Sequence, residues 1–176
     1  RAAVFIMAAA LAVTGLPGTA AEATSGGTDP WMTFAGSESA ETGYSVAVDG
    51  SGNTYITGPG SCNWGNPIVP YSGEGQDVFV AKFSSSGALV WNTFFGTEGI
   101  KIFESRDIAL DGSCNVYVVG DFPGYWGSEG YIYKFTNDGI FQQYIKLGEG
   151  NGGTHVYSVK VSGEYVYVAG NGVYNW

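Results

Sequence analysis

The sequence predicts an all-β fold assembled from repeated four-stranded units. Three observations carry this reading. Glycine and aromatic residues are abundant (29 Gly and 15% Phe, Trp and Tyr in 176 residues), while charged residues make up only 13%. That composition suits short strands joined by tight turns and does not suit a disordered chain. Second, apolar residues alternate at period two around turn-forming clusters, as with Val46, Val48, Tyr55 and Thr57 on either side of Asp49-Gly50-Ser51-Gly52-Asn53. Third, these runs recur in a fixed order along the chain.

The elements follow in chain order. Arg1 is followed by an uncharged apolar run from Ala2 to Leu16, broken by Pro17-Gly18 and then by small residues through Ala23. This is the pattern of an export signal, so residues 1–23 are expected to be removed and 24–30 to form a linker. The run is shorter than the ~20 residues a membrane-spanning helix requires. No membrane span is expected after cleavage, and a secreted or cell-surface location follows. Residues 31–176 then form the folded part.

Within it, Val46-Ala-Val-Asp-Gly-Ser-Gly-Asn-Thr-Tyr-Ile-Thr-Gly58 returns as Ile108-Ala-Leu-Asp-Gly-Ser-Cys-Asn-Val-Tyr-Val-Val-Gly120, and in shorter form from Val159 to Gly170. A second unit, Asp77 to Gly96, returns as Gly130 to Gly148. Lys82 and Lys134 are 52 residues apart and Asp49 and Asp111 are 62 apart, the extra ten lying between Gly58 and Asp77. A period near 50 with four strand-like runs per copy is that of a β-propeller. The expected strands A to D are 44–49, 53–58, 77–83 and 88–95, then 106–111, 115–120, 130–135 and 140–147, then A 157–161 and B 164–169. The blades are thus about 44–96, 106–148 and an incomplete 157–176. Trp31 to Ala35 matches the end of strand D, so 31–35 is expected as a stray outer strand that completes a final blade. About two and a half blades cannot close a ring of about four to eight, so the remaining blades are expected from the same chain or a partner chain.

The series Ala-Val-Asp-Gly-Ser-Gly-Asn, Asp-x-Phe-Val-Ala-Lys-Phe and Trp-x-Thr-x-x-Gly resembles the bacterial secreted beta-propeller repeat, and more loosely the NHL repeat, over roughly 31–170. The resemblance implies a propeller in an exported or surface setting and brings no catalytic residues with it.

Charge and composition narrow the function. A net charge of −9 excludes a basic nucleic-acid footprint, and a single histidine leaves little for metal or nucleophile–histidine chemistry. No cofactor and no metal are expected. Asp49-x-Ser51-x-Asn53 and Asp111-x-Ser113-x-Asn115 space oxygen ligands as calcium loops do, but the glutamate that completes an EF-hand is missing, and a hairpin turn is the better reading. Cys62 and Cys114 fall at opposite ends of the strands and are expected not to pair. His155 has Glu149 or Asp107 as conceivable partners.

Long connections at 59–76, 97–105, 121–129 and 149–156 share one rim. They carry Trp64, Tyr71, Tyr125 and Trp126 beside Glu74, Asp121 and Glu129, a combination that stacks on sugar rings or anchors a protein. The competing reading, that the aromatics cover gaps between blades, is the stronger for loops so rich in glycine. The expected function is a non-catalytic extracellular scaffold that binds protein or polysaccharide on this rim. The alternative is a fragment of a secreted lyase or glycoside hydrolase using the rim carboxylates.

Overall fold

The computed structural model describes residues 4–8, 31–39, 41–73, 75–96, 104–124, 127–148 and 153–172. Among them are twelve strands and no helix, so the all-β expectation holds. No helix among the described residues is long and apolar enough to cross a membrane. Sheet I is an antiparallel meander of β3 (Ser45–Val48), β4 (Thr54–Gly60), β5 (Asp77–Phe83) and β6 (Leu89–Phe95). Sheet II repeats it with β7 (Glu104–Leu110), β8 (Val116–Gly124), β9 (Gly127–Phe135) and β10 (Phe141–Leu147). A two-stranded unit, III, follows with β11 (Thr154–Ser162) and β12 (Tyr165–Gly172). The described sheets are open, and none closes on itself.

Two expectations require correction. Residues 121–129 were expected as a loop, yet β8 and β9 run on through it, pairing Asp121 with Gly130, Phe122 with Glu129 and Gly124 with Gly127. Backbone groups that a loop would leave to water are satisfied here by extending the ladder. Trp31–Ala35 (β2) was expected to complete a blade, but it pairs antiparallel with β1 (Val4–Ala8), inside the apolar run read as an export signal. No three-stranded sheet awaiting a fourth strand occurs among the described residues. The β-prone run Val-Phe-Ile-Met-Ala satisfies its edge instead.

The repeated Asp-x-Ser-x-Asn segment builds the turn between the first two strands of each sheet. Asp49 Oδ1 accepts from Ser51 N and Asn53 N, both at 2.9 Å, and Oδ2 from Asn53 Nδ2 at 2.8 Å and Tyr55 OH at 3.2 Å. Asp111 reproduces the set with Ser113, Asn115 and Tyr117. These are Asx-turn bonds, in which the carboxylate substitutes for backbone acceptors. The glycine that ends each copy also has a physical reason. A Cβ on Gly58, Gly120 or Gly170 would stand 1.7, 1.9 or 2.0 Å from the carbonyl oxygen of Thr42, Glu104 or His155 respectively. Only glycine lets the first strand come that close.

Alternation along the strands sends side chains to two faces and stacks the units in series. Tyr55, Val78, Val80 and Trp91 of sheet I meet Ile108, Val116, Val118, Tyr131, Tyr133 and Phe135 of sheet II in one core. The opposite face of sheet II, with Ala109, Tyr117, Val119 and Ile132, meets Val156 and Val159 of unit III in a second. The far face of sheet I (Ile56, Phe79, Ala81, Phe83, Phe94) is closed by Trp64 and Tyr71 from the β4–β5 connection, with Ala35 of β2 also packed against it. A single carboxylate ties the three units together. Asp107 Oδ1 accepts from Ser45 Oγ of sheet I at 2.7 Å, while Oδ2 accepts from Ser158 Oγ and Val159 N of unit III, both at 2.9 Å. Ser45, Asp107 and Ser158 hold the same position in the three copies, one residue before the first repeated valine or isoleucine.

Candidate functional site

A cleft of about 500 Å³ lies between the outer strands of sheets I and II. One wall is the β4–β5 connection, with Val69, Pro70 and Ser72; the other is Tyr133, Phe141 and Tyr144 from β9 and β10. Phe95 and Phe135 form its floor. The connection is placed by main-chain bonds along β6, from Ile68 N to Asn92 O at 2.8 Å and from Phe94 N to Val69 O at 3.0 Å. The buried Asp77 carboxylate fixes its far end by accepting from Ser72 N at 2.7 Å and Ser72 Oγ at 2.9 Å. The 61–76 connection is thus a built wall and not a free loop.

The aromatic residues of the cleft form a continuous surface. Phe95 and Tyr133 have ring centroids 4.8 Å apart, and Tyr133 and Tyr144 lie 5.9 Å apart at 30°. Tyr144 is 58% exposed and Phe141 47%, so both present ring area to a ligand. Burial, with a smaller contribution from Tyr144, pushes the Tyr133 phenol up to about 12, so it remains a hydrogen-bond donor across the physiological range. An apolar cleft with hydroxyl groups at its margins and no free charge among its lining rings suits a neutral, ring-bearing ligand.

The predicted rim residues are dispersed. Trp64 is only 6% exposed, with its ring edge-on to Phe79 at 5.4 Å and Phe94 at 6.3 Å, so it is core and not a platform. Tyr71 leans on Phe94 and donates from its hydroxyl to Gly75 O at 2.8 Å. Glu74, Tyr125 and Trp126 lie outside the described residues. Asp121 and Glu129 sit on neighbouring strands but face opposite sides of sheet II, because Asp121 pairs with Gly130 while Glu129 pairs with Phe122.

Asp121 is buried at the mouth between sheet II and unit III. His155 Nδ1 lies 3.1 Å from its Oδ2, and Arg106 Nε faces its Oδ1 at 3.5 Å, an ion-pair contact without a hydrogen bond. Arg106 also pairs with Glu104. The partner of His155 is therefore Asp121; Asp107 is committed to Ser45, Ser158 and Val159, and Glu149 lies outside the described residues. Glu129 accepts from Lys146 Nζ at 2.6 Å and Tyr131 OH at 2.7 Å. The Lys146 bond foremost, then that from Tyr131, holds its carboxyl below the usual range despite partial desolvation. Glu41 accepts from Ser37 N at 2.9 Å and from Ser37 Oγ at 2.6 Å. Cys62 and Cys114 are free thiols. No cluster of three metal-ligating side chains occurs among the described residues.

Sequence reasoning missed Tyr133, Phe141 and Tyr144 as a site. The signal was the substitution between copies: Tyr133 stands where the first copy has Ala81, which puts an aromatic ring into the space between sheets. Compared with known proteins, the sequence matches no family model and no curated protein.

Proposed function

We propose that sheets I and II are successive blades of a β-propeller and that the chain serves as a non-catalytic, exported scaffold binding polysaccharide in the cleft between them. The observation that carries this reading is the exposed aromatic surface of Tyr133, Phe141 and Tyr144 facing a wall pinned by Asp77. Serial face-to-face stacking of equivalent four-stranded meanders supports the blade reading. Stacking of sugar rings on tyrosine and phenylalanine needs no charged partner, and the nearest carboxylate, Asp77, is already committed to Ser72. Asp121 and Glu129, the rim carboxylates of the alternative reading, lie on opposite faces of one sheet and do not form a pair with each other.

Affinity electrophoresis and calorimetry against neutral polysaccharides test the reading. Saturable binding is expected, weakened about tenfold (~1.4 kcal/mol) by Tyr144→Ala and unaffected by Asp121→Asn. Turnover of a glycan that Asp121→Asn abolishes would replace binding by catalysis, and binding indifferent to both Tyr144→Ala and Phe141→Ala would remove the cleft from the function.

A further inference from the structure

Both walls of the cleft meet at the turn between β9 and β10, residues 136–139. The hairpin that carries this turn supplies Tyr133, Phe135, Phe141 and Tyr144 to the cleft, and its tip is anchored in sheet I. Asn137 Oδ1 accepts from Lys82 Nζ at 2.6 Å and from Tyr55 OH at 2.7 Å, and the Asn137 backbone carbonyl accepts from Trp91 Nε1 at 2.9 Å. The three donors stand side by side on β4, β5 and β6, Tyr55 paired with Lys82 and Lys82 with Trp91. Lys82 lies over the Tyr55 ring at 5.1 Å, and Tyr55 meets Trp91 edge-on at 6.2 Å, so each donor is held by its neighbour.

Two residues on, Gly139 is buried against the opposite wall. A Cβ there would stand 2.8 Å from Ile68 Cδ1 and from two carbons of the Trp91 ring. Ile68 is bonded to β6 through Asn92 O, and the cleft residues Val69 and Pro70 follow it directly. The turn therefore holds sheet I through Asn137 and touches the connection through Gly139. Asp77 already pins the far end of the connection, whereas β10 is the edge strand of sheet II and exposed over nearly its whole length. Of the two walls, the hairpin is the one that can shift, and the turn is where it is tied.

The tie is particular to this copy of the repeat. In sheet I the corresponding turn is Ser84-Ser85-Ser86-Gly87, with Ser85 at the position of Asn137. The Ser84 hydroxyl is spent within that turn, on Ser86 and Ala88. A serine oxygen also reaches one bond less far from the backbone than an asparagine carbonyl. Asn137 thus enters in the same copy in which Tyr133 replaces Ala81 and the cleft is lined with rings.

We propose that Asn137 is a positioning residue for the cleft: by tying the β9–β10 turn to Lys82 and Tyr55 it sets the spacing of the two walls, and with it the affinity for polysaccharide, without lining the cleft itself. The proposal rests on the cleft being the binding site. If the tie favours the spacing that a ligand needs, a bound ligand favours the tie by the same factor, because coupling between two sites is reciprocal.

The test compares the whole chain with Asn137→Ala, Asn137→Asp and Lys82→Met, with circular dichroism confirming that each folds. Affinity for neutral polysaccharide is expected to fall about tenfold in Asn137→Ala and to recover in Asn137→Asp, which keeps an oxygen for Lys82 and Tyr55. Lys82→Met cuts the same bond from sheet I and is expected to reproduce the loss, which keeps the test decisive if Asn137→Ala does not fold. Saturating polysaccharide is expected to slow exchange of the Trp91 indole N–H, read by NMR, by about the same factor. Without ligand, Asn137→Ala is expected to speed amide exchange in β10 and at Ile68 about tenfold while leaving β11 unchanged, a pattern that loss of overall stability does not produce. Affinity unchanged in Asn137→Ala and Lys82→Met, or a loss that Asn137→Asp fails to restore, overturns the proposal and leaves the cleft as the binding site. Failure of the unsubstituted chain to bind removes the cleft reading instead. In that case faster exchange confined to β10 and Ile68 upholds the setting of the walls by Asn137, and unchanged exchange there overturns it.

Discussion

Sheets I and II are built from the same two sequence units, yet one is finished by its own chain and the other by its neighbours. Sheet I carries ten extra residues between Gly58 and Asp77, and that connection covers the far face with Trp64 and Tyr71 and runs along the edge of β6. Sheet II lacks the insertion; its β8 and β9 simply extend until Gly124 meets Gly127. Its rear face is covered by sheet I, its front face only in part by unit III, and β10 remains exposed over nearly its whole length. The comparison teaches that the repeat dictates the interior, while connector length decides which surfaces a unit covers for itself.

The largest break in the comparison comes where the two sheets agree. Gly120→Ala would force a methyl group into the Glu104 carbonyl, and Gly58→Ala into that of Thr42. Backbone on both sides leaves no side chain to give way, so each substitution is expected to cost more than about 4 kcal/mol. Urea titration followed by tryptophan fluorescence measures this; a loss below about 1 kcal/mol would show that the first strand can retreat without consequence.

Next in size is the cap peculiar to sheet I. Trp64→Ala opens the face bounded by Phe79 and Phe94 and is expected to cost about 3 kcal/mol, at the lower end for a buried tryptophan because a surface cap relaxes more easily than an enclosed core. Tyr71→Ala, half-buried on the same face, costs less. If the two substitutions cost the same, the cap acts as a detachable flap and not as part of the core.

Much of this was legible in the sequence because the repeat reports on backbone geometry. Asp49 and Asp111 with their Ser and Asn neighbours declare the turn, and all ten strands from β3 to β12 overlap their expected positions, with ends shifted by up to about four residues. What was not legible depends on which residue meets which across units. Asp107 reads as an ordinary residue at the start of a strand, and nothing in its neighbours announces bonds to Ser45 and Ser158, 62 and 51 residues away. Asp121 and Glu129 looked like companions because both were assigned to a loop; once the loop became strand, alternation put them on opposite faces. Trp64 looked like a platform because its covering role depends on which face of sheet I the β4–β5 connection folds over.

Asp107 supplies the third prediction, since it joins both interfaces at once. Burial pushes its carboxyl up, but the bonds from Val159 N, Ser45, Ser158 and Ile108 N outweigh burial and hold it below the ordinary 3.8. The Asp49 and Asp111 carboxyls are likewise lowered, partial desolvation being outweighed by bonds from Asn53 and Asn115 and their neighbours. A carboxyl with a lowered folded pKa contributes stability that is present above its unfolded value and lost as pH falls through the folded one. Stability is therefore expected to hold down to about pH 4 and to decline below it, with the decline shallower in Asp107→Asn. Asp107→Ala is expected to cost about 2 kcal/mol at neutral pH, and Ser45→Ala and Ser158→Ala about 1 kcal/mol each. If Ser45→Ala and Ser158→Ala are not additive, the carboxylate couples the two interfaces and the three units unfold together.

The smallest effect sharpens the comparison at a single residue. In the turn of sheet I the position before Asn53 is Gly52, with φ at 80°; in sheet II the same position is Cys114, with φ at 60°. The two turns have the same hydrogen bonds, so the difference is the cost of placing a side chain in left-handed backbone, roughly 1–2 kcal/mol. Glycine gives back about 0.5–1 kcal/mol of this through the greater freedom of its unfolded chain. Cys114→Gly is therefore expected to stabilise the protein by about 0.5–1 kcal/mol, a rise in melting temperature of roughly 2 °C. The mirror change, Gly52→Cys, should cost somewhat more than this gain, because a Cβ there would also stand 3.3 Å from the Cβ of Ser85. A loss of stability in Cys114→Gly would mean that the thiol, half-buried in its turn near Tyr55, contributes packing that outweighs its backbone strain.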